Sequence, residues 1–442
     1  MTASPRAAEN DPALWSALRK VRWRLLPLLS MCYLVAYMDR ANISFAAESM
    51  NHDLHFTPKI YGLGAGLFFL TYALCEIPSN ALMLRFGARR WLARIMLSWG
   101  VIAALMAFVR TPLHFYGARL LLGCAEAGYF PGAVYYLSQW FPVRLRAQAI
   151  SLFYVSLPIS SVVMGAVAGT LLRLNGTLGL AGWQWMFLIE AAPAVVLSAV
   201  LWFTLPDAPA TARWLQASER NALQVALTDD GLRHDHGGGL RAVLRNGRAW
   251  ALGVAYLCEL GMVYALTFSF PIVIKQLTGW DAARAGYLIA AISLLGAVAM
   301  LVGGWLSDRS GHRRTLTAAA FVMMALSLLA ARLHFAGWIA VGGLALLMLS
   351  YYAVQPSMVS AMTTLMPGRA AATAVAFTNT FAICGGFVGP YWMGWMREAT
   401  GGYAASIGWL ALPCLLAAVL MPYVLQPKPA IAPALTDLLP AD

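Results

Sequence analysis

The chain has 442 residues, 60% hydrophobic and 11% charged, with a mean hydropathy of +0.66 and a formal net charge of +12. Soluble domains carry about 25% charged residues, so this composition excludes a soluble globular protein and indicates a membrane protein. The positive charge reports topology and contact with anionic inner-leaflet lipid, and it calls for no nucleic-acid partner.

A helix needs about 20 mostly apolar residues to cross the hydrocarbon core. Runs of that kind lie at 25–47, 60–83, 91–110, 113–139, 147–172 and 184–205, and again at 249–274, 284–307, 315–334, 337–362, 371–396 and 404–425. They are continuous rather than alternating and far exceed the roughly 10 residues of a barrel strand. The expected fold is therefore an all-α membrane protein with twelve transmembrane helices, numbered here as spans 1 to 12. The first run, behind Arg19, Lys20, Arg22 and Arg24, resembles a signal sequence, but its length and the lack of a small-residue cleavage site favour a retained helix.

Residues 206–248 form the longest polar segment between two runs and divide the chain into six-helix bundles at 25–205 and 249–425, with tails at 1–24 and 426–442. With both termini cytoplasmic, Lys and Arg fall as about 22 in the tails and inner loops, 7 in outer loops and 2 within helices, as the positive-inside rule requires. Six cysteines, at 32, 75, 124, 258, 384 and 414, sit inside the apolar runs without CxxC spacing and read as small apolar fillers. His234, Asp235 and His236 lie in a glycine-flanked loop and read as a solvated linker rather than a metal site. The Asn175-Gly176-Thr177 triplet matches a glycosylation acceptor, and nothing else points to a secretory pathway. No cofactor is expected, and the chain is expected to act as a monomer.

The halves carry a faint repeat. "NALMLRFGARR" (80–90) after span 2 aligns with "GWLSDRSGHRR" (304–314) after span 8, and "FPVRLRAQA" (141–149) with "MPGRAAATA" (366–374), at offsets of 224 and 225 residues. Parallel six-helix repeats build large secondary-transporter folds, with the site near the midplane between halves. Gly87 and Gly311 suit tight turns with positive φ. Asp308 can cap a helix and pair with Arg309 or Arg313. With Arg85, Arg89 and Arg90 these residues form a candidate cytoplasmic gate, for which a purely topogenic basic loop is the plainer alternative.

A charge at a helix centre costs roughly 2.5–3.5 kcal/mol on insertion scales, so such residues face a wet cavity or a partner. Asp39, Arg40, Glu76, Arg119, Glu126, Glu190 and Glu259 qualify. Asp39 and Arg40 are adjacent and cannot face each other on a helix, whereas Arg119 and Glu126, two turns apart, share a stripe. Pairing across spans 1 and 4 is the better geometry, with the identity of the partners open. Arg40 and Arg119 suit a carboxylate cargo because a guanidinium fork matches it bidentately; Asp39 and Glu126 are candidate proton carriers. Static ion pairs locking spans 1 and 4 are the alternative. Glu76 and Glu190, close to Pro78 and Pro193, read as satisfying freed backbone groups or helix ends rather than moving protons, and Glu259 has no assigned role.

The stretches "YMDRANISFA", "YALCEIPSN", "RLLLGCAEAGYFPG" followed by "WFPVRLRAQA", "GWQWMFLIEAAPAV" and "FTNTFAICGGFVGPYWMGW" together resemble the major facilitator superfamily, over nearly the whole chain. More narrowly they resemble its anion:cation symporter family of organic-anion permeases. "EIPSN" and "FGARRWLARI" look most like its tartrate and hydroxyphenylacetate permease branch, and Leu84 departs from the acid many members carry there. The resemblance implies proton-coupled import of a small organic anion such as tartrate, a sugar acid or hydroxyphenylacetate. It implies that Tyr37 and Tyr72 bound the cavity and that Asn379, in the broken-looking "TNTFAICGGF" of span 11, binds substrate; Tyr264, Tyr351 and Tyr352 are expected on the opposite wall. The competing readings are a proton-coupled exporter of a metabolite or drug and a non-transporting receptor on the same scaffold. A membrane enzyme would need motifs such as GxSxG or HExxH, which the sequence does not contain.

Overall fold

The computed structural model describes residues 11–231, 240–333, 337–365 and 369–426, all helix and connecting turn. His234, Asp235 and His236, the side chain of Asp308 and most of the C-terminal tail lie outside the described residues. Nine of the described helices are long and apolar enough to cross a membrane. The other three expected spans, the first, fourth and eleventh, are those that carry Asp39 and Arg40, Arg119 and Glu126, and the polar run Thr378-Asn379-Thr380.

Span 1 is a single helix, Pro12–Asp53, and begins well before the apolar run opens at Leu25. The sequence dictates the early start: Asp11 caps it by accepting from the Ala13 N–H at 2.8 Å, and Pro12 occupies the first turn. Leu14, Ala17, Leu18 and Val21 give this extension a buried face. Against it packs a linker helix, Ala217–Gly231, whose Glu219 accepts from Ser16 Oγ at 2.7 Å and Lys20 Nζ at 2.8 Å. The polar segment after span 6 is thus partly folded.

Spans 2, 3 and 6 are Pro58–Phe86, Ala88–Leu105 and Gly182–Thr204. Span 4 is broken into Pro112–Glu126 and Tyr129–Ser138, with Gly128 left-handed at φ +88°. Ser79 of span 2 repairs the break, donating to the Ala127 carbonyl at 2.7 Å. Span 5 comprises Val143–Tyr154 and Ser156–Leu172. In the second half, span 7 comprises Gly247–Thr267 and Phe270–Thr278; spans 8 to 10 are Ala282–Ser310, Arg313–Leu333 and Trp338–Thr364. Span 11, Arg369–Thr400, is one continuous helix, so the interruption expected there belongs to span 4. Span 12 comprises Tyr403–Trp409 and Ala411–Val424.

Cys75 and Cys124, read as separate fillers, bring their Sγ atoms within 2.9 Å between spans 2 and 4. A contact between residues 49 apart leaves no trace in local spacing.

Twelve crossings return the chain to the face from which it starts, where Arg248 at the head of span 7 donates to the Gln426 carbonyl at 3.2 Å. The two bundles join through spans 2 and 11 and spans 5 and 8. They meet most tightly towards the opposite face, where a Cβ on Gly165 would stand 2.5 Å from the Gly286 carbonyl oxygen, so only glycine permits the approach. Polar contacts close the same face: Glu48 pairs with Lys275, Arg173 with Asp281 at 3.8 Å, and Tyr61 Oη donates to the Phe268 carbonyl at 2.8 Å. Between the bundles lies a cavity of about 160 Å³. It runs from Phe268, beneath the closed face, to Met362 near the end of span 10 on the face of the termini.

Candidate functional site: the central cavity

Arg40 stands on the cavity wall at the middle of span 1. Its Nε donates to Glu126 Oε1 at 2.8 Å and its Nη2 lies 2.6 Å from the same oxygen. The open pairing across spans 1 and 4 therefore resolves as Arg40 with Glu126. Glu126 is 1% exposed and is the last residue of the first half of span 4, so the helix break just behind it sets where the carboxylate ends. The Tyr72, Tyr37 and Phe68 rings surround the guanidinium at 4.9, 5.0 and 5.4 Å, close enough for cation–π attraction.

Asp39 points elsewhere. Its two carboxylate oxygens accept from Asn42 Nδ2 at 3.2 Å and Trp99 Nε1 at 2.9 Å, towards span 3, and it does not line the cavity. Glu190 of span 6 is buried beside Asn42, and among the described residues neither of its carboxylate oxygens accepts from a backbone group, so it does not satisfy freed backbone groups as its nearness to Pro193 suggested.

Arg119 requires a correction. It is 1% exposed and does not line the cavity; its Nε and Nη2 donate to the Gly64 and Ala65 carbonyls of span 2 at 3.2 and 3.3 Å. The two helices are in contact here, because a Cβ on Gly123 would fall 2.1 Å from the Phe68 carbonyl oxygen. Arg119 ties span 4 to span 2 in this conformation.

The remaining binding candidates converge. Tyr37 and Tyr72 from the first bundle line the cavity, and Tyr264, Tyr351, Tyr352 and Asn379 line it from the second. Asn379 Nδ2 lies 3.3 Å from Glu76 Oε1, a bond between spans 11 and 2 that gives Glu76 a partner other than the backbone near Pro78. Sequence reasoning missed Tyr33, Tyr154, Tyr256 and Gln355, all on the wall. Gln355 was legible as a carboxamide inside an apolar span, but a search confined to ionisable residues passes over it.

The loops bear on the expected gate. Gly87 and Gly311 adopt φ of +87° and +67°, as tight turns demand. Arg89 donates its backbone N–H to Asp207 Oδ1 at 3.0 Å and brings Nε within 3.6 Å of Oδ2. Asp207, at the end of span 6, thus supplies an acid beside the loop that Leu84 leaves without one. Arg313 donates to Ser307 at 3.2 Å and Ser360 at 2.6 Å, joining the loop after span 8 to span 10. Arg309 lies over Trp305 at 5.1 Å and Arg85 over Phe86 at 5.7 Å, while Arg90 is exposed.

The sequence profile described as Major Facilitator Superfamily matches residues 29–390. The chain belongs to that superfamily. Among relatives, it is 39% identical to a protein of Agrobacterium vitis named "Putative tartrate transporter", over 91% of this chain and 90% of the other. It is 36% identical to a quinolone resistance transporter of Acinetobacter baumannii, over 93% and 95%. Among solved structures it superposes on a bacterial homologue of the human lysosomal transporter Spinster with a TM-score of 0.75 at 17% identity, covering 91% of this chain and 96% of that one. As a major facilitator it is a multi-pass integral membrane protein and a secondary transporter of a small molecule, not an enzyme.

Proposed function

We propose that the protein imports a small organic anion together with a proton, the bundles 25–205 and 249–425 alternating about the central cavity. The observation that carries this reading is Arg40 on the cavity wall, paired with Glu126, which is buried behind it and does not itself line the cavity. Removing one partner of a buried ion pair costs about 3–5 kcal/mol because the other charge is left uncompensated. Glu126 can therefore be neutralised by a proton only when another anion takes its place on Arg40. A cargo carboxylate does so, and proton and cargo favour each other's binding. With one proton and a monoanionic cargo the loaded cavity carries no more net charge than the empty one, so the bundles can reorient around it. Asp39, one residue from Arg40 and held by Trp99 and Asn42, is a second proton carrier outside the cavity.

In this reading the termini and the basic loops are cytoplasmic and the membrane is a bacterial inner membrane; the named relatives include an Escherichia coli protein called an inner membrane transport protein. The cavity then opens inward, and the loops at Gly87–Arg90 and Asp308–Arg313, with Arg85, close that side as an inner gate in the alternate state. A monomer suffices, since both walls come from one chain. Tartrate, a sugar acid and 4-hydroxyphenylacetate are the cargo classes, tartrate supported by the name of the Agrobacterium relative.

The decisive experiment is uptake into proteoliposomes under an outside-acid gradient, alongside counterflow without one. Glu126→Gln should lose gradient-driven accumulation and keep counterflow, and Asp39→Asn should lose accumulation. Full accumulation by both variants would end the proposal. The quinolone resistance relative and the phenol-rich wall favour one second reading, proton-driven export of an aromatic compound. An outside-acid gradient that empties loaded vesicles instead of filling them would establish it.

A further inference from the structure

Cys75 and Cys124 take no part in the mechanism above, yet the structure holds them together with some care. Thr71, Cys75 and Ser79 follow one another at four-residue spacing and so share one face of span 2. Each meets span 4: Thr71 Oγ1 donates to the Leu120 carbonyl at 2.7 Å, Cys75 Sγ lies 2.9 Å from Cys124 Sγ, and Ser79 Oγ donates to the Ala127 carbonyl at 2.7 Å. The sulfurs are thus bracketed by hydrogen bonds between the same two helices. Gly123, next to Cys124, lets the backbones close up there, since a Cβ on it would fall 2.1 Å from the Phe68 carbonyl oxygen.

The pair does not line the central cavity. Cys124 is exposed and Cys75 half-buried. Leu74, next to Cys75, and Leu121, one turn before Cys124, are 67% and 60% exposed, so on a transmembrane helix this surface faces hydrocarbon. Arg94 of span 3 lies within electrostatic reach of Cys124, and its Nε is buried without a hydrogen-bond partner among the described residues. A cation beside a partly exposed thiol is the setting of a reactive cysteine, and the second thiol in contact with it is the resolving partner that such a site needs.

We propose that Cys75 and Cys124 are a redox-active dithiol, oxidised to a disulfide by a quinone dissolved in the bilayer. Both S–H bonds break and one S–S bond forms; two electrons and two protons pass to the quinone, which leaves as quinol. A disulfide holds its sulfurs about 2.0 Å apart, so side-chain rotation suffices to close it from the observed contact. The oxidant is lipid-soluble because the sulfurs open onto lipid and not onto the water-filled cavity. The bond ties span 2 to span 4 one residue before Glu76 and two before Glu126, at the break in span 4.

The test uses the purified full chain in liposomes, reduced beforehand and then treated with decylubiquinone or with ferricyanide. Free thiols are alkylated and the peptides mapped by mass spectrometry. Decylubiquinone should link the Cys75 and Cys124 peptides and yield one quinol per bond, about tenfold or more faster than ferricyanide, whose charge keeps it in water. Dithiothreitol should restore both thiols. Cys384 is also exposed but has no cysteine against it among the described residues, so it should stay a free thiol in the same samples. Mapping leaves the other cysteines in place, and no cysteine-free chain has to fold. Cys75→Ser and Cys124→Ser should each abolish the link and the quinol. Two free thiols after quinone treatment, loss of the Cys384 thiol as fast as the pair, or ferricyanide closing the bond as fast as decylubiquinone would each overturn the proposal.

Discussion

Across one cavity the two bundles present different chemistry. The first offers a guanidinium bound to a carboxylate, with aromatic rings around it; the second offers phenols and two carboxamides, Asn379 and Gln355, with Glu259 set behind. Tyr264 stands 224 residues after Arg40 and Tyr351 stands 225 after Glu126, the offsets at which the repeated loops align. Where the repeat puts an ion pair in one half, it puts phenols in the other. The contrast teaches a division of labour. A charge that must be exchanged for a proton or an anion is best held at one place, whereas neutral hydrogen-bonding groups can grip and release cargo without altering the charge of the cavity.

The contrast is broken most directly by removing the charged group. Arg40→Ala should lower substrate affinity about a hundredfold, as the loss of charge-assisted hydrogen bonds does, and Asn379→Ala about tenfold. Equal losses in a binding titration would erase the distinction between the walls. Within the first bundle, Arg119 separates structure from transport. Arg119→Leu should cost about 3 kcal/mol of stability through lost carbonyl contacts and imperfect packing, read as a lower unfolding temperature, while cargo affinity in the folded fraction stays near wild type. A selective loss of affinity would return Arg119 to the binding site.

The seam between the bundles can be wedged. Gly165→Val would meet the Gly286 carbonyl, and overpacking of about 1–3 kcal/mol should favour the state open on that face. Labelling of Ser161→Cys on the cavity wall, with the six native cysteines replaced, should then rise for a reagent added on that side. Unchanged labelling would show that the glycine contact does not hold the face shut.

The smallest effect concerns the linker, which is tied to the first bundle by Ser16 and Lys20. Burial alone would raise the Glu219 carboxyl, but hydrogen bonds from Lys20, the Gln216 N–H and Ser16 bring it down to about 2 from its ordinary 4.5. A depressed folded value means that the tie contributes fully above about 4.5 and fades as pH falls towards 2. Hydrogen-exchange protection of Ala217–Gly231 should weaken across that window, and less so in Lys20→Met. Flat protection down to pH 2 would argue that the helix is held by its apolar face alone.

The fold was legible because membrane insertion leaves a strong one-dimensional record. Each crossing is an apolar run of set length, and basic residues collect in alternate loops. The candidate site was partly legible for a related reason: a charge inside such a run is costly and stands out. Gln355 and Tyr256 stand out far less, and the Cys75–Cys124 contact not at all.

From the sequence alone follow the all-helical membrane class, the twelve crossings, the repeat and the presence of a guanidinium at mid-membrane, since each depends on residues near one another in the chain. Tertiary structure alone decided that Arg40 rather than Arg119 faces the cavity, that Glu126 rather than Asp39 is its partner, and that Gln355 is held by Glu259. Those choices depend on how helices rotate and on where a missing Cβ lets two backbones approach, and neither is written in the spacing of any single span.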